Sequence, residues 1–459
     1  MDTNEVFSES LDFNSIKRRA VAARSYRVKL PPSNGTNFTP EQTINFDLPS
    51  NVAGTYTNMS QCYLKFKVTN GVSASTLDRG GAYSFIKRFQ ISTAGAQIFD
   101  CNNWNVLATA LLDSDSTAEY KATTGRILLG TRGDKLAGES LGIGEERIFC
   151  LPLICNPLSN MTPHRLLPLF GLSPIQIRLT LDSVASAVSS ASANGAPTLA
   201  FSDVELVMYN TELAPSAQAR IDEMTGGMYN MLAVSWMNSS ASIGAGVTVN
   251  TSNLGFSMSS LERVVAIHRP QATINTQAAF SIGNRSRSNL LEYNYLINNE
   301  QYPARPVNAN QAEAYAEFLI GDHSLSNFNK GNALMSGFVW SATGVSGSGF
   351  IGGNKPEVSL SNPYALEDPA GTIAGTSAGA NAAAGNSNIG TYLTAVELES
   401  GISDGKSSQI YSGISTTGST VQFLGKYSAA VASQIDFYAQ YTVLLSLNMR
   451  GTSVISVKV

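Results

Sequence analysis

From residue 63 the chain reads Tyr63-Leu64-Lys65-Phe66-Lys67-Val68, apolar at every second position and with lysines between. A period of two fits a strand that is buried on one face and wet on the other, and no helix keeps such a pattern on one side. Thr43-Ile44-Asn45-Phe46-Asp47-Leu48 alternates in the same way. Phe85-Ile86-Lys87-Arg88-Phe89-Gln90-Ile91 continues the pattern up to a turn at Gly95. Strands are expected again at Arg147–Ile154, Ile175–Leu181 and Ala200–Tyr209. One helix interrupts them at Asn102–Leu112, where Trp104, Leu107, Leu111 and Leu112 fall at helical spacing. The Ser/Ala-rich stretch 183–197 reads as a loop.

After a short helical connector at 215–227, ending in Gly226-Gly227, the plan repeats. Strands are expected at Leu232–Trp236, Leu261–Ile267 and Leu290–Ile297. Pro303-Ala304-Arg305-Pro306 then precedes a helix at Gln311–Ile320, and strands return at 334–340, 391–399, 420–427 and 435–447, with Ser453–Val459 closing the chain. The sequence thus divides into an N-terminal arm at 1–40, a first β domain at 41–214, the connector, and a second β domain at 228–459. The second domain carries a Gly/Ser/Ala-rich surface insertion at about 341–390. The fold class is all-β: two β-sandwich domains in tandem, each with a short mid-domain helix.

Charge narrows the function. Only 14% of the 459 residues are charged, 30 basic against 34 acidic, for a net charge of −4. An ordinary soluble protein carries about 25%. A surface this poor in charge suits a chain that buries its flanks against other subunits. The exception is the arm, where Lys17, Arg18, Arg19, Arg24, Arg27 and Lys29 place six positive charges within thirteen residues. Such a run reads either as solvated charge or as a contact for an anionic partner, nucleic acid or membrane head groups. The acidic start, Met1-Asp2-Thr3-Asn4-Glu5, has no apolar core of a signal peptide, and the most apolar run, Phe437–Met449, is too short to span a bilayer.

Catalytic and cofactor readings fail on spacing. Cys62, Cys101, Cys150 and Cys155 form no C-x-x-C pair and read as four buried thiols. His164, His268 and His323 are too scattered to be a metal set. Gly347-Ser348-Gly349-Phe350-Ile351-Gly352 has the glycines of a dinucleotide loop, but Gly353-Asn354-Lys355-Pro356 follows instead of a helix. Gly401–Ser407 has one residue too few between its glycines for a phosphate loop. Gly375-Thr376-Ser377-Ala378-Gly379 mimics a nucleophile elbow, yet no histidine follows it in the chain. Carboxylate pairs at Glu397/Glu399 and Asp113/Asp115 are the remaining candidates for hydrolysis, and i, i+2 spacing is more often that of a solvated strand face or a turn. No enzyme activity, cofactor or metal is expected.

Several passages carry a family likeness. Phe85–Ile91 leads through Gly95 into the Asn102–Leu112 helix. Phe149-Cys150-Leu151-Pro152-Leu153 is followed by Leu166-Leu167-Pro168-Leu169 and Ile175-Gln176-Ile177-Arg178-Leu179. Tyr293–Pro306 with the helix after it, Glu397-Leu398-Glu399 through Ser412-Gly413-Ile414, and Tyr441–Val459 complete the set. In order and spacing these resemble the double jelly-roll major capsid proteins of the bacteriophage–adenovirus lineage, most like those of virophages and polinton-like viruses. The 341–390 insertion has no counterpart in that pattern. The resemblance implies tandem jelly rolls, homotrimeric pseudo-hexameric capsomers, and an icosahedral virion shell made inside the host cell. It also implies minor capsid or vertex proteins as partners, with genome or an internal membrane facing the basic arm. A receptor- or glycan-binding viral surface protein, a fibre or adhesin, is the alternative.

Overall fold

The computed structural model describes residues 23–50, 52–93, 96–132, 137–162, 165–170, 174–190, 196–277, 280–309, 312–321, 389–390, 392–399, 413–448 and 455–458. Eight strands build the core of the first half: β1 (Ala23–Leu30), β2 (Thr43–Asp47), β3 (Tyr63–Asn70), β4 (Ile86–Thr93), β5 (Ala96–Cys101), β6 (Glu146–Pro152), β7 (Ile175–Leu181) and β8 (Leu199–Leu213). Eight more build the second: β9 (Met228–Ile243), β10 (Val249–Leu254), β11 (Leu261–Pro270), β12 (Leu290–Ile297), β13 (Glu300–Asn308), β14 (Thr394–Glu397), β15 (Val421–Tyr427) and β16 (Ser433–Asn448).

Pairing is antiparallel and gives two main sheets per half. They run β1-β8-β3-β6 and β2-β7-β4-β5, then β9-β16-β11-β14 and β10-β15-β12-β13. Adding eight to each strand of the first half reproduces the order of the second. Apart from the hairpins β4–β5 and β12–β13, successive strands alternate between facing sheets in a double Greek key, which is the jelly roll. Helices repeat as well: α1 (Trp104–Asp115) follows β5, α2 (Pro215–Thr225) joins the halves, and α3 (Ala312–Gly321) follows β13. The connector starts with Pro215, whose missing N–H costs nothing in a first turn, and stops at Gly226, whose φ of 62° suits a residue without a Cβ.

Each sandwich closes on aromatic side chains. Leu64, Phe66 and Val68 of β3 point inward, and Phe66 meets Phe85, Phe149 and Phe201 at ring-centroid distances of 5.7–6.0 Å. In the second half Phe423 takes that place, 5.4 Å from Tyr295 and 5.1 Å from Phe437.

Three expectations about the main sheets change. The first jelly roll opens at Ala23 rather than at 41, because β1 pairs with β8 from Ala23↔Leu213 to Leu30↔Leu206. Its Tyr26, Val28 and Leu30 turn inward and Arg27 and Lys29 turn outward, so this part of the basic run is a strand and not a loose arm. The proline passage at 303–306 is also a strand, β13, tolerated because it lies at a sheet edge where a missing N–H breaks no ladder. β10 was not anticipated, its Asn- and Thr-rich sequence being weak in the apolar signal. The expected strand at 334–340 lies outside the described residues. So does the insertion, apart from Ile389–Gly390, which pairs with Arg285–Ser286.

Since each crossing reverses direction, the strand ends fall at two poles. β1 begins and β8 ends at one pole, where α2 leads into β9. The crossings β3→β4, β5→β6, β11→β12 and β13→β14 fall at the other.

Candidate functional site

Of the six basic residues singled out from sequence, Lys17, Arg18 and Arg19 lie outside the described residues. Arg24, Arg27 and Lys29 stand on β1 with partners inside their own sheet. Arg24 pairs with Glu212 at 2.9 Å, and Lys29 meets Glu205 at 2.9 Å, where Lys65 joins it at 3.1 Å. Arg27 donates to the Tyr63 hydroxyl at 2.9 Å. Lys67 continues the row against Glu146 and Asp203, at 3.2 and 3.6 Å. The Lys29 ammonium holds the Glu205 carboxyl below its ordinary range. Cations and anions therefore alternate over this face and their fields largely cancel at a distance, so the face itself is a weak attractor for a polyanion.

A second polar constellation was not foreseen. Asp113, on α1, is fully buried, and its carboxylate receives Arg79 at 2.9 Å together with Lys121 and Arg285. Arg285 belongs to the second half. Beside it Asp78 accepts the backbone N–H groups of Ile282 and Gly283, each at 2.8 Å. A Cβ on Gly283 would stand 2.5 Å from the Asp78 carboxylate and 2.6 Å from Arg79 Cβ, so the halves approach too closely there for any side chain. Burial pushes Asp78 up to about 6, against the opposing pull of those N–H groups and of Arg285. Nearby, Asn103 donates to Asp436 at 3.0 Å and Tyr438 donates to the Asn103 carbonyl at 2.8 Å.

These contacts come from crossings at the pole opposite α2. The halves are thus joined covalently at one pole and by buried, hydrogen-bonded charge at the other. Buried charge adds little net stability over a well-packed apolar contact, but it tolerates few alternative geometries. Its chemistry here is orientation. A cavity of about 820 Å³ is lined from both halves, among others by Tyr83, Leu112 and Asp115 of the first and by Trp236, Arg263 and Gln440 of the second.

The other sequence candidates resolve individually. Asp113 is held by cations from two halves of the chain, and Glu397 accepts the N–H groups of Leu398 and Glu399, the two residues after it. His268 is buried and shares a hydrogen bond with the Tyr427 hydroxyl at 2.9 Å, and burial lowers it to about 4. All four cysteines are free thiols. Cys62, Cys101 and Cys155 are buried as expected, while Cys150 is only half-buried on the outer face of β6. Among the described residues no cluster of three or more His, Cys, Asp or Glu is suited to a metal. No described helix is long and apolar enough to cross a membrane. The three glycine-rich motifs, His164 and His323 lie outside the described residues.

The strand order, the paired helices and the short connector together define a double jelly-roll protein. No protein-family model matches the chain, and no curated protein matches it in sequence. Solved structures do match over nearly the whole length. A chain of the PBCV-1 virus capsid superimposes with a TM-score of 0.58 at 11% identity, covering 97% of this chain and 99% of that one. The mavirus major capsid protein gives a TM-score of 0.52 at 10% identity, over 100% and 96% of the two chains. A chain from the Sputnik virophage structure gives 0.56 at 9% identity, over 99% and 92%. At these identities the likeness is one of fold.

Proposed function

We propose that this chain is a major capsid protein, a structural and non-catalytic subunit of a virion shell. The observation that carries the reading is the doubled jelly roll clamped at both poles. It gives one chain two similar lobes in a fixed relation, and three such chains in a ring present six. A near-hexagonal outline of that kind tiles a closed shell, with each chain burying one flank against the next. The sparse charge fits, since obligate contacts commonly bury 2,000–5,000 Å² or more per interface and are depleted in charge. The full-length fold shared with chains of the PBCV-1 capsid and with the mavirus major capsid protein supports the same reading.

The partners in this reading are neighbouring copies, then minor capsid and vertex proteins. Because Arg24, Arg27 and Lys29 already have partners in the first sheet, contact with genome or an internal membrane falls to Lys17, Arg18 and Arg19. Light scattering in line with size exclusion at low micromolar protein should give about three times 48.7 kDa, unchanged by moderate salt. A stable monodisperse monomer would overturn the capsomer reading. Trypsin should cut at Lys17–Arg19 faster in free trimers than in assembled particles. Equal rates would remove the interior assignment of that segment.

A further inference from the structure

Carboxylates of the second half converge where β14 joins the central sheet. Glu262 occupies a bulge in β11, where the register with β16 slips between Leu261 and Arg263. It is 6% exposed, and its carboxyl is held by Gln440 at 3.0 Å and by the Thr442 hydroxyl, both on β16. Its backbone carbonyl accepts the N–H of Leu398, one residue past β14, at 2.7 Å. Glu397 folds back to accept the N–H groups of Leu398 and Glu399 at 3.0 and 2.9 Å. Three carboxylates thus gather at the end of a four-residue edge strand. The cation among them is Arg263, cross-strand from Glu397, with its guanidinium over the Trp236 ring. From the first half, Asp115 lines the same cavity as Arg263 and Gln440.

We propose that Glu262 is a proton-operated clamp on β14: neutral, it lets its backbone carbonyl keep the Leu398 N–H, and ionised beside Glu397 and Glu399 it repels the strand end from β11. Burial is the largest influence on Glu262. Gln440 and Arg263 oppose it and the two neighbouring glutamates add to it, leaving the group at about 7. A group raised in the folded state lends stability that is complete below its unfolded value and is lost as pH rises through the folded one. The clamp is therefore closed in mild acid and opens across neutrality. It acts within one jelly roll, so it stands whether or not the chain forms a shell.

Amide hydrogen exchange at Thr394–Leu398 of the full chain, corrected for the intrinsic rate, tests this between pH 6 and 8. Protection in the wild type should fall by roughly tenfold over that range, and in Glu262→Gln it should stay constant. Equal pH responses in the two proteins, or none in the wild type, would overturn the clamp. Should Glu262→Gln fold poorly, Glu399→Gln reads the same coupling. Removing one like charge should shrink the pH-dependent loss and move it toward acid, and an unchanged profile would again count against the proposal.

Discussion

Sheets β1-β8-β3-β6 and β9-β16-β11-β14 hold equivalent places in the two jelly rolls, and their outer faces meet opposite surroundings. β3 alternates between half-buried and buried, with Tyr63, Lys65 and Lys67 toward solvent. All ten residues of β11 are buried, because the first half lies against the outer face of its sheet. Polar side chains survive in both places by different means. On the first sheet Lys65 and Lys67 share carboxylates in water. On the second, Arg269 is locked to Asp436 at 2.7 Å and Arg263 lies over Trp236. One strand order therefore serves as an outer wall in one half and as an internal partition in the other. What decides between them is the neighbour, not the topology.

If that contrast is right, polar substitutions should separate sharply by sheet and by pole. The largest effect belongs to Asp113→Ala, which strands Arg79, Lys121 and Arg285 in a dry junction. Removing one partner from such a cluster costs about 3–5 kcal/mol, to be read from urea midpoints. Next comes acid sensitivity of the second half. His268 is held neutral down to about 4 against an ordinary value near 6.5, so its depressed value removes stability as pH falls from about 6.5 to 4. The loss should approach roughly 3 kcal/mol at the acid end and flatten in His268→Gln. A wild-type melting temperature independent of pH in that window would contradict the buried, neutral assignment.

Gly283→Ala should cost about 1–3 kcal/mol by forcing the junction apart, and the loss should shrink in part if Asp78 is also cut back to Ala, which removes one of the two atoms the new methyl meets, Arg79 Cβ remaining. Lys65→Ala, on the exposed sheet, should change stability by less than about 1 kcal/mol, and that small change should fade in salt. A Lys65 effect as large as that of Asp113 would erase the contrast. The smallest change is expected from replacing about forty residues of the 341–390 insertion with a short Gly/Ser link. Tyr392 donates to the Ala309 carbonyl at 3.1 Å, so the chain entering and leaving that crossing already meets. Loop length alters closure entropy by only about 0.6 kcal/mol per doubling, and circular dichroism should show both jelly rolls intact.

Strands are legible in the sequence where one of their faces is wet. β3 and β7 announce themselves because polar residues mark every second position, and β4 does so between Arg88 and Ser92. β1 carries the same mark in Tyr26-Arg27-Val28-Lys29-Leu30, but the density of positive charge around it reads as an arm, either solvated or lying on an anionic partner. β13 was masked by its prolines, which exclude a central strand but not an edge one. The junction had no local signature at all. Asp113 and Arg285 are 172 positions apart and Asp78 and Gly283 are 205 apart, so only the folded chain unites them. The one hint was compositional, since a chain this sparing with charge still places Asp78-Arg79 and Arg285 in turn-like sequence.

The two poles give the subunit a direction, and with it a rule for labelling. Anything attached ahead of Ala23 starts beside Leu213 and the connector, whereas anything grafted into the β13→β14 crossing starts from the end that holds Asp113 and Asp78. In a closed shell whose subunits all point the same way and stand with their pole-to-pole axis across the wall, one of these tags would be open to an antibody and the other sealed from it. A pair of epitope tags on a single chain would then report shell closure by accessibility alone: both would bind antibody on free subunits, and only one on finished particles.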